Sequence, residues 1–294
     1  MFSSSKTNNQ LALMICSYGP DFDRCSRLCS SIDAFAGKHV RQFLVVPNRD
    51  RKLFSPLRSE SREVVSAQDV LPARFFHLPL FKKWWLDHTL WPVRGWIMQQ
   101  LTKLSADAVT DCEHIVFVDS DIEFITPLQI GRFFQNGALR LHRKPMTNPD
   151  DMHCQWHRGA AELLGLDVEV GDFDYIGPLA TWRRSNLIKL KEHIQEGTQR
   201  PWFESVGRRL TVSEYTLYGV FVERILGLPN SGHFANADDL CHCLWFGDEA
   251  NSFLKDFNYE RSPQAVLLQS NIGLDDKEVN LLMRLVRNQL AAVS

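Results

Sequence analysis

The sequence predicts an α/β fold: a Rossmann-like, mostly parallel central sheet with helices on both faces, and a mixed C-terminal half. Three observations predict it. Apolar runs of strand length alternate with segments of helical period through roughly the first 130 residues. An acidic stretch follows one of those runs directly, at the place where such sheets keep their ligands. The composition, 44% hydrophobic and 23% charged over 294 residues, is that of a soluble globular chain with a sizeable core.

LALMICS, Leu11 to Ser17, has the continuous apolarity of a buried strand, and the segment after Pro20 carries Leu28, Ile32 and Phe35 at helical spacing. VRQFLVVP, Val40 to Pro47, is a second strand, and REVVS from Arg62 a short third one. VRGWIMQQLTKL, Val93 to Leu104, reads as a helix leading into the apolar strand Ile115 to Val118. Strand and helix in alternation imply right-handed crossovers and parallel pairing. In the second half DYIGPLATW reads as a strand, and Asn186 to Glu196, Glu214 to Leu226 and Val279 to Leu290 read as helices. Leu217, Phe221 and Ile225 form the clearest apolar stripe among these. With no internal repeat and no low-complexity linker, the economical reading is one domain over residues 11–294 behind a flexible N-terminus, 1–10.

Charge and cysteine usage exclude several classes. The 33 basic and 35 acidic residues leave a formal charge of -2, which gives no sequence-wide attraction to nucleic acid or anionic lipid. Seven cysteines, an odd number dispersed over a long chain, do not form a secreted disulfide framework, so a reducing cytoplasm is the expected compartment. MFSSSKTNNQ lacks the apolar core of a signal peptide, and no stretch approaches the roughly 20 apolar residues of a membrane span. Peripheral contact with the inner face of a membrane stays open. PLFKKWWLDHTLWPVRGW, which concentrates aromatic and basic residues, reads as core, as a sugar-stacking platform or as that contact.

The chemistry concentrates in HIVFVDSDIEFITP, His114 to Pro127. Alternate residues of an extended segment point the same way, so Asp119 and Asp121 can share a face while Ser120 takes the other. Burying ionised carboxylates without partners costs several kcal/mol. Two converging at a strand end suit a hard divalent cation, Mn or Mg, that keeps open positions for phosphates. The plainer reading has both capping a turn or pairing with Arg or Lys. Ser17 and Tyr18 end the first strand and Asp50 follows the second, so the same sheet edge would hold a nucleotide.

VFVDSDIEF after a nucleotide-binding pattern resembles the D-x-D signature of GT-A class glycosyltransferases. RGWIMQQLTKL, YIGPLATWRR, SEYTLYG and QSNIGL resemble, in that order, an uncharacterised glycosyltransferase-like family of bacteria. The resemblance implies a GT-A-like domain with a nucleotide-binding half, about 11–130, and an acceptor half, about 131–294. It implies a nucleotide-diphosphate-sugar donor held through a divalent metal, and transfer to a hydroxyl of a glycan or lipid-linked acceptor, as in bacterial surface polysaccharide synthesis. Asp121 would ligate the metal, Asp119 would contact donor and metal, Ser120 would lie on the donor, and a late histidine, His242 or His233, would complete the shell.

In a helix over Val93 to Leu104, Trp96, Gln100 and Lys103 share one face, and Lys103 could meet the donor phosphates. An inverting transfer needs a base. Ser213 is a plausible N-cap placing Glu214 in a first helical turn, the first choice for that base; Asp172 and Asp174 in GDFDY are the competing carboxylates. Arg183 and Arg184, and Arg49, Arg51 and Lys52, meet either phosphate or water. His153, Cys154 and His157, with Cys241, His242 and Cys243, do not repeat a known zinc-ligand spacing. Two other functions compete. A haloacid-dehalogenase-type phosphatase would use Asp119 as nucleophile, but this chain has Glu123 where that motif carries Thr or Val, and it carries the motif late. A non-catalytic nucleotide-sugar or carbohydrate-binding protein would have no reason to keep both costly carboxylates.

Overall fold

The computed structural model describes residues 11–73, 75–77, 84–147, 150–245, 249, 252, 263–269, 273–274 and 276–293. The N-terminal segment 1–10, Pro79 to Lys83 of the aromatic-basic stretch, and Ser270 to Ile272 of QSNIGL lie outside them.

The apolar runs pair as their burial requires. β1 (Leu11–Cys16) is buried along its whole length. It lies between β2 (Arg41–Val46) and β4 (His114–Asp119), parallel to both, and β3 (Arg62–Ser66) continues the sheet beside β2. β7 (Thr181–Arg183) closes the other edge, antiparallel to β4, so the order is 7-4-1-2-3. Register sets the functional edge. Cys16 pairs with both Val45 and Asp119, and Val46 pairs with Ser66, so these strands end side by side.

Side chains alternating along the strands feed two cores. Met14, Cys16, Val45, Ile115 and Phe117 point to one face, where they pack with Ile97 and Leu101 of α2 (Gly95–Leu104), Leu187 of α4 (Arg184–Thr198) and Leu217 of α5 (Glu214–Val220). Leu13, Ile15, Leu44, Val116 and Val118 point to the other, against Leu28 and Ile32 of α1 (Phe22–Phe35). The predicted α/β class is the observed one: a mixed α/β domain around a mostly parallel sheet.

Three elements differ from the sequence reading. α2 starts at Gly95 rather than Val93, because Pro92–Arg94 pairs antiparallel with Trp84–Leu86 before the helix begins. Only Thr181–Arg183 of the DYIGPLATW stretch joins the central sheet. Phe173–Asp174 pairs instead with Lys144–Pro145, and Leu179 takes a left-handed turn at φ 56 between the two. The helix from Glu214 stops being α-helical at Val220 and widens into a π-type segment, Phe221–Leu226, that ends at Gly227 with φ 75.

The C-terminal half adds further helices and small sheets. α3 (Asp151–Leu163) is capped by Asp150, whose side chain accepts from the His153 amide at 2.8 Å. β6 (Ala138–His142) pairs parallel with β8 (His233–Asn236). β9 (Cys241–Leu244), β10 (Ala265–Leu268) and β5 (Ile122–Phe124) form another sheet, covered by Val279, Leu282, Met283 and Val286 of α6 (Asp276–Val293). The last strand thus returns beside the residues that follow the D-x-D. Among the described residues no helix is long and apolar enough to cross a membrane.

Candidate functional site

The two aspartates part at the end of β4. Asp119 is its last residue; Ser120 and Asp121 form a turn, and the Asp121 carbonyl accepts from the Leu268 amide at 2.9 Å. The period-2 alternation that would put both carboxylates on one strand face therefore ends between them. Asp119 keeps its side chain 39% exposed, with Oδ1 3.3 Å from Lys103 Nζ. Asp121 Oδ1 is buried with no hydrogen-bond partner. Burial first, and then the charge of Asp119 with a smaller push from Asp21, raise the Asp121 carboxyl to about 7. Arg24, which lines the same small pocket, offsets this only in part.

Lys103 is the opposite case. Its Nζ lies 3.0 Å from Glu214 Oε1 and donates to Tyr215 Oη at 2.8 Å, and it stands 4.4 Å from that ring's centroid. Burial alone would lower its pKa, but Asp119 and Glu214 outweigh it and hold the ammonium well above the ordinary lysine value. Glu214 is only 3% exposed, its amide donates to Gln100 Oε1 at 3.1 Å, and Ser213 Oγ accepts from Thr216 to cap the helix. Of the predicted helix face, Gln100 and Lys103 turn inward to α5, and Trp96 alone remains 38% exposed. This corrects the expectation of an open carboxylate at Glu214 and of a donor-facing Gln100, because both are spent on joining α2 to α5.

A cleft of about 510 Å³ opens at the ends of β1 and β2, lined among others by Ser17, Tyr18, Arg49, Gln68, Trp85 and Trp96. Ser120 Oγ donates to Ser17 Oγ at 2.9 Å, tying the ends of β4 and β1 together. Asp50 accepts from the Gly19 amide at 2.9 Å and so fixes the loop that carries Tyr18. Away from the cleft, the core under the central sheet is closely packed. A Cβ on Gly219 would come within 2.1 Å of the Tyr175 ring, Trp182 stacks on Tyr218 at 4.7 Å and 13°, and Tyr218 Oη accepts from the Arg183 amide. YIGPLATWRR and SEYTLYG are therefore two halves of one joint.

A family model matches residues 10–288. The chain belongs to DUF6492, a family of unknown function. No curated protein matches it in sequence. Among solved structures, mouse xyloside xylosyltransferase 1 in its apo form aligns at TM-score 0.48 and 11% identity over 90% of this chain and 99% of the other. The galactosyltransferase LgtC, in complex with donor and acceptor sugar analogs, aligns at 0.45 and 9% over 94% of this chain and 95% of the other.

The remaining candidates of this DUF6492 chain scatter. Asp172 is exposed, while Asp174 accepts from the Ile176 amide at 2.9 Å and stands 3.7 Å from His153 Nε2, its carboxyl raised by burial. His233 is buried between Tyr218 Oη and the Leu139 carbonyl. It neighbours His114 and Arg183, at the start of β4 and so at the opposite edge of the sheet from Asp119. It therefore cannot complete a shell with the aspartates. His242, on β9, does not join them either: among the described residues no three His, Cys, Asp or Glu side chains converge as a metal-ligand set. Arg183 pairs with Glu113, and Arg184 donates to the Asp107 and Thr110 carbonyls, so both are structural. All seven cysteines are free thiols. Sequence reasoning missed Trp156 of α3 and weighed His153 only as a zinc ligand; the available signal was the Asp150 cap ahead of an alternating aromatic and histidine turn.

Proposed function

We propose that this chain is a metal-dependent glycosyltransferase that moves a sugar from a nucleotide-diphosphate donor to a hydroxyl of a glycan or lipid-linked acceptor, in bacterial surface polysaccharide synthesis. The observation that carries the reading is the orphaned Asp121 Oδ1 with part-exposed Asp119 at the end of β4, where Ser120 between them is bonded to Ser17 of the 510 Å³ cleft. Such a pair fits a hard divalent cation, Mn or Mg, which takes few protein carboxylates and draws its other ligands from water and phosphate. Asp121 and Asp119 would hold it, with no histidine in the set. When bound, it would stabilise the charge growing on the departing diphosphate as a Lewis acid.

The chain's own residues supply the rest of the reading. Ser17, Tyr18 and Trp96 shape the donor cleft, and Asp50 and Ser120 hold its loops in place. Lys103, kept charged by Glu214, steadies Asp119 and adds positive potential near the diphosphate. Glu214 acts in this reading as a positioning residue, since a carboxylate buried against an ammonium does not reach an acceptor hydroxyl. Asp174, next to His153, is the better placed of the two competing carboxylates for proton transfer.

The test is a thermal-shift screen of nucleoside diphosphates and their sugars with and without Mn, followed by measurement of nucleoside diphosphate release. Stabilisation that needs both nucleotide and metal, with release on adding an acceptor, is the expected result. No nucleotide-dependent shift under either condition overturns the reading. Binding without any release over long incubation would leave a carbohydrate or nucleotide-sugar binding protein.

A further inference from the structure

Where α2 meets α3, Trp96 and Trp156 stand nearly parallel, with ring centroids 6.1 Å apart and planes 27° from parallel. Trp96 belongs to the cleft wall and is 38% exposed. Aromatic surface therefore runs out of the donor cleft onto the first turns of α3. One turn before Trp156, His153 sets its ring edge-on to the indole, with centroids 4.9 Å apart. Its Nδ1 lies 2.7 Å from Asp150 Oδ1 and its Nε2 lies 3.7 Å from Asp174 Oδ2, so two carboxylates fix the imidazole at the rim. Beside it, Trp156 Nε1 and His157 Nε2 are buried with no hydrogen-bond partner, although His157 as a residue is only 3% exposed. Buried polar groups are normally satisfied, and those that are not call for an explanation.

Packing alone does not account for this combination, because a structural aromatic pair needs neither an exposed face nor a rim of histidine and carboxylate. A pyranose has the matching chemistry. Its C–H face is apolar and weakly positive, suiting the electron-rich face of an indole. Its hydroxyls stand at the ring edge, where they need both donors and acceptors, and imidazole and carboxylate provide them. Trp96 lies seven residues before Lys103 on α2, or about 10 Å along the helix axis from the residue that meets Asp119.

We propose that this wall is the acceptor subsite: a saccharide ring stacks on the surface of Trp96 and Trp156 and hydrogen-bonds to His153 and Asp174. The inference rests on the transferase reading for its place in a reaction, and it specifies a carbohydrate acceptor.

The test uses the full chain and two independent titrations. Tryptophan fluorescence is followed with methyl glucosides, galactosides and mannosides and with lactose, maltose and cellobiose, while UDP with Mn is titrated by calorimetry. At least one saccharide should bind the wild type in the millimolar range. Trp156→Ala should weaken it by about tenfold or more, and Trp156→Phe, which keeps an aromatic face, by no more than about threefold. UDP affinity should stay unchanged in both. His153→Ala, which leaves the indole pair in place, should weaken the same saccharide by roughly threefold or more and carries the test if Trp156→Ala does not fold. Saccharide affinity unchanged by Trp156→Ala or by His153→Ala overturns the proposal, as does the absence of any saccharide binding to the wild type. Failure of the wild type to bind UDP or any other nucleoside diphosphate with Mn would instead overturn the transferase reading and leave the saccharide result standing.

Discussion

Asp121 is held in the folded chain at a cost. Its Oδ1 is buried without a partner and its carboxyl is raised to about 7, so near neutral pH the protein carries a poorly compensated charge at its sheet edge. Asp121→Asn keeps the shape and removes that charge. The variant should be more stable than the wild type at pH 8 in metal-free buffer, by about 3 kcal/mol less the cost of burying the new amide, a net gain of order 1–2 kcal/mol. It should also lose the increment that Mn adds to nucleoside diphosphate binding, because a carbonyl is a far weaker ligand for a hard cation than a carboxylate. Calorimetry and a chelator-treated melt read both effects on one sample. A variant that is less stable without metal, or that keeps the Mn increment, would show that Asp121 has a partner other than a cation.

Between elements, the joint of α2 and α5 holds Asp119 in place. Lys103 is 5% exposed and shared by Asp119, Glu214 and Tyr215. Lys103→Met strands the Glu214 carboxylate in a dry setting and should cost about 3–5 kcal/mol by urea denaturation, whereas Lys103→Met with Glu214→Leu should recover most of that loss. An additive double variant would mean that the two groups do not compensate each other. Gly219→Ala places a methyl 2.1 Å from the Tyr175 ring and should cost about 1–3 kcal/mol or more, although alanine is otherwise the better helix former. This joint marks the boundary of what was legible in the sequence. The apolar runs and helical stripes of the first half were readable, because burial imposes their periods locally. The pairing of Lys103 with Glu214 spans 111 positions and follows from the packing of α5 against α2, which no local pattern encodes. The histidine expectations failed for the same reason: His233 comes late in the chain, but β8 carries it to the far edge of the sheet. Trp96 was legible as one face of a helix, and its partner Trp156 was not, because α3 was not foreseen.

Across the whole molecule, buried groups give opposing responses to acid, and His233 and Asp121 show the two directions. His233 is lowered to about 4, chiefly by burial, and stays neutral in the fold. The unfolded chain protonates this imidazole near 6.5, so between 6.5 and 4 the unfolded state binds more protons, and His233 removes stability as pH falls through that window. Asp121, raised to about 7, works the other way: the folded state takes its proton first, and stability from this group grows as pH falls from 7 towards 4. Each contribution is of order 3 kcal/mol and they oppose each other, while His142, lowered to about 4 by burial, acts in the same direction as His233 in wild type and variants alike. Removing either one should expose the other. His233→Gln, despite losing stability overall with its bond to Tyr218, should show a denaturation midpoint that rises on acidification from pH 6.5 to 4 relative to wild type. Asp121→Asn should show one that falls more steeply than wild type over the same range. The measurement is the urea midpoint at half-unit pH steps, in chelator, for the three proteins. Parallel profiles would mean that neither group titrates where the fold places it, and profiles bending the same way would reverse the sign assigned to one of them.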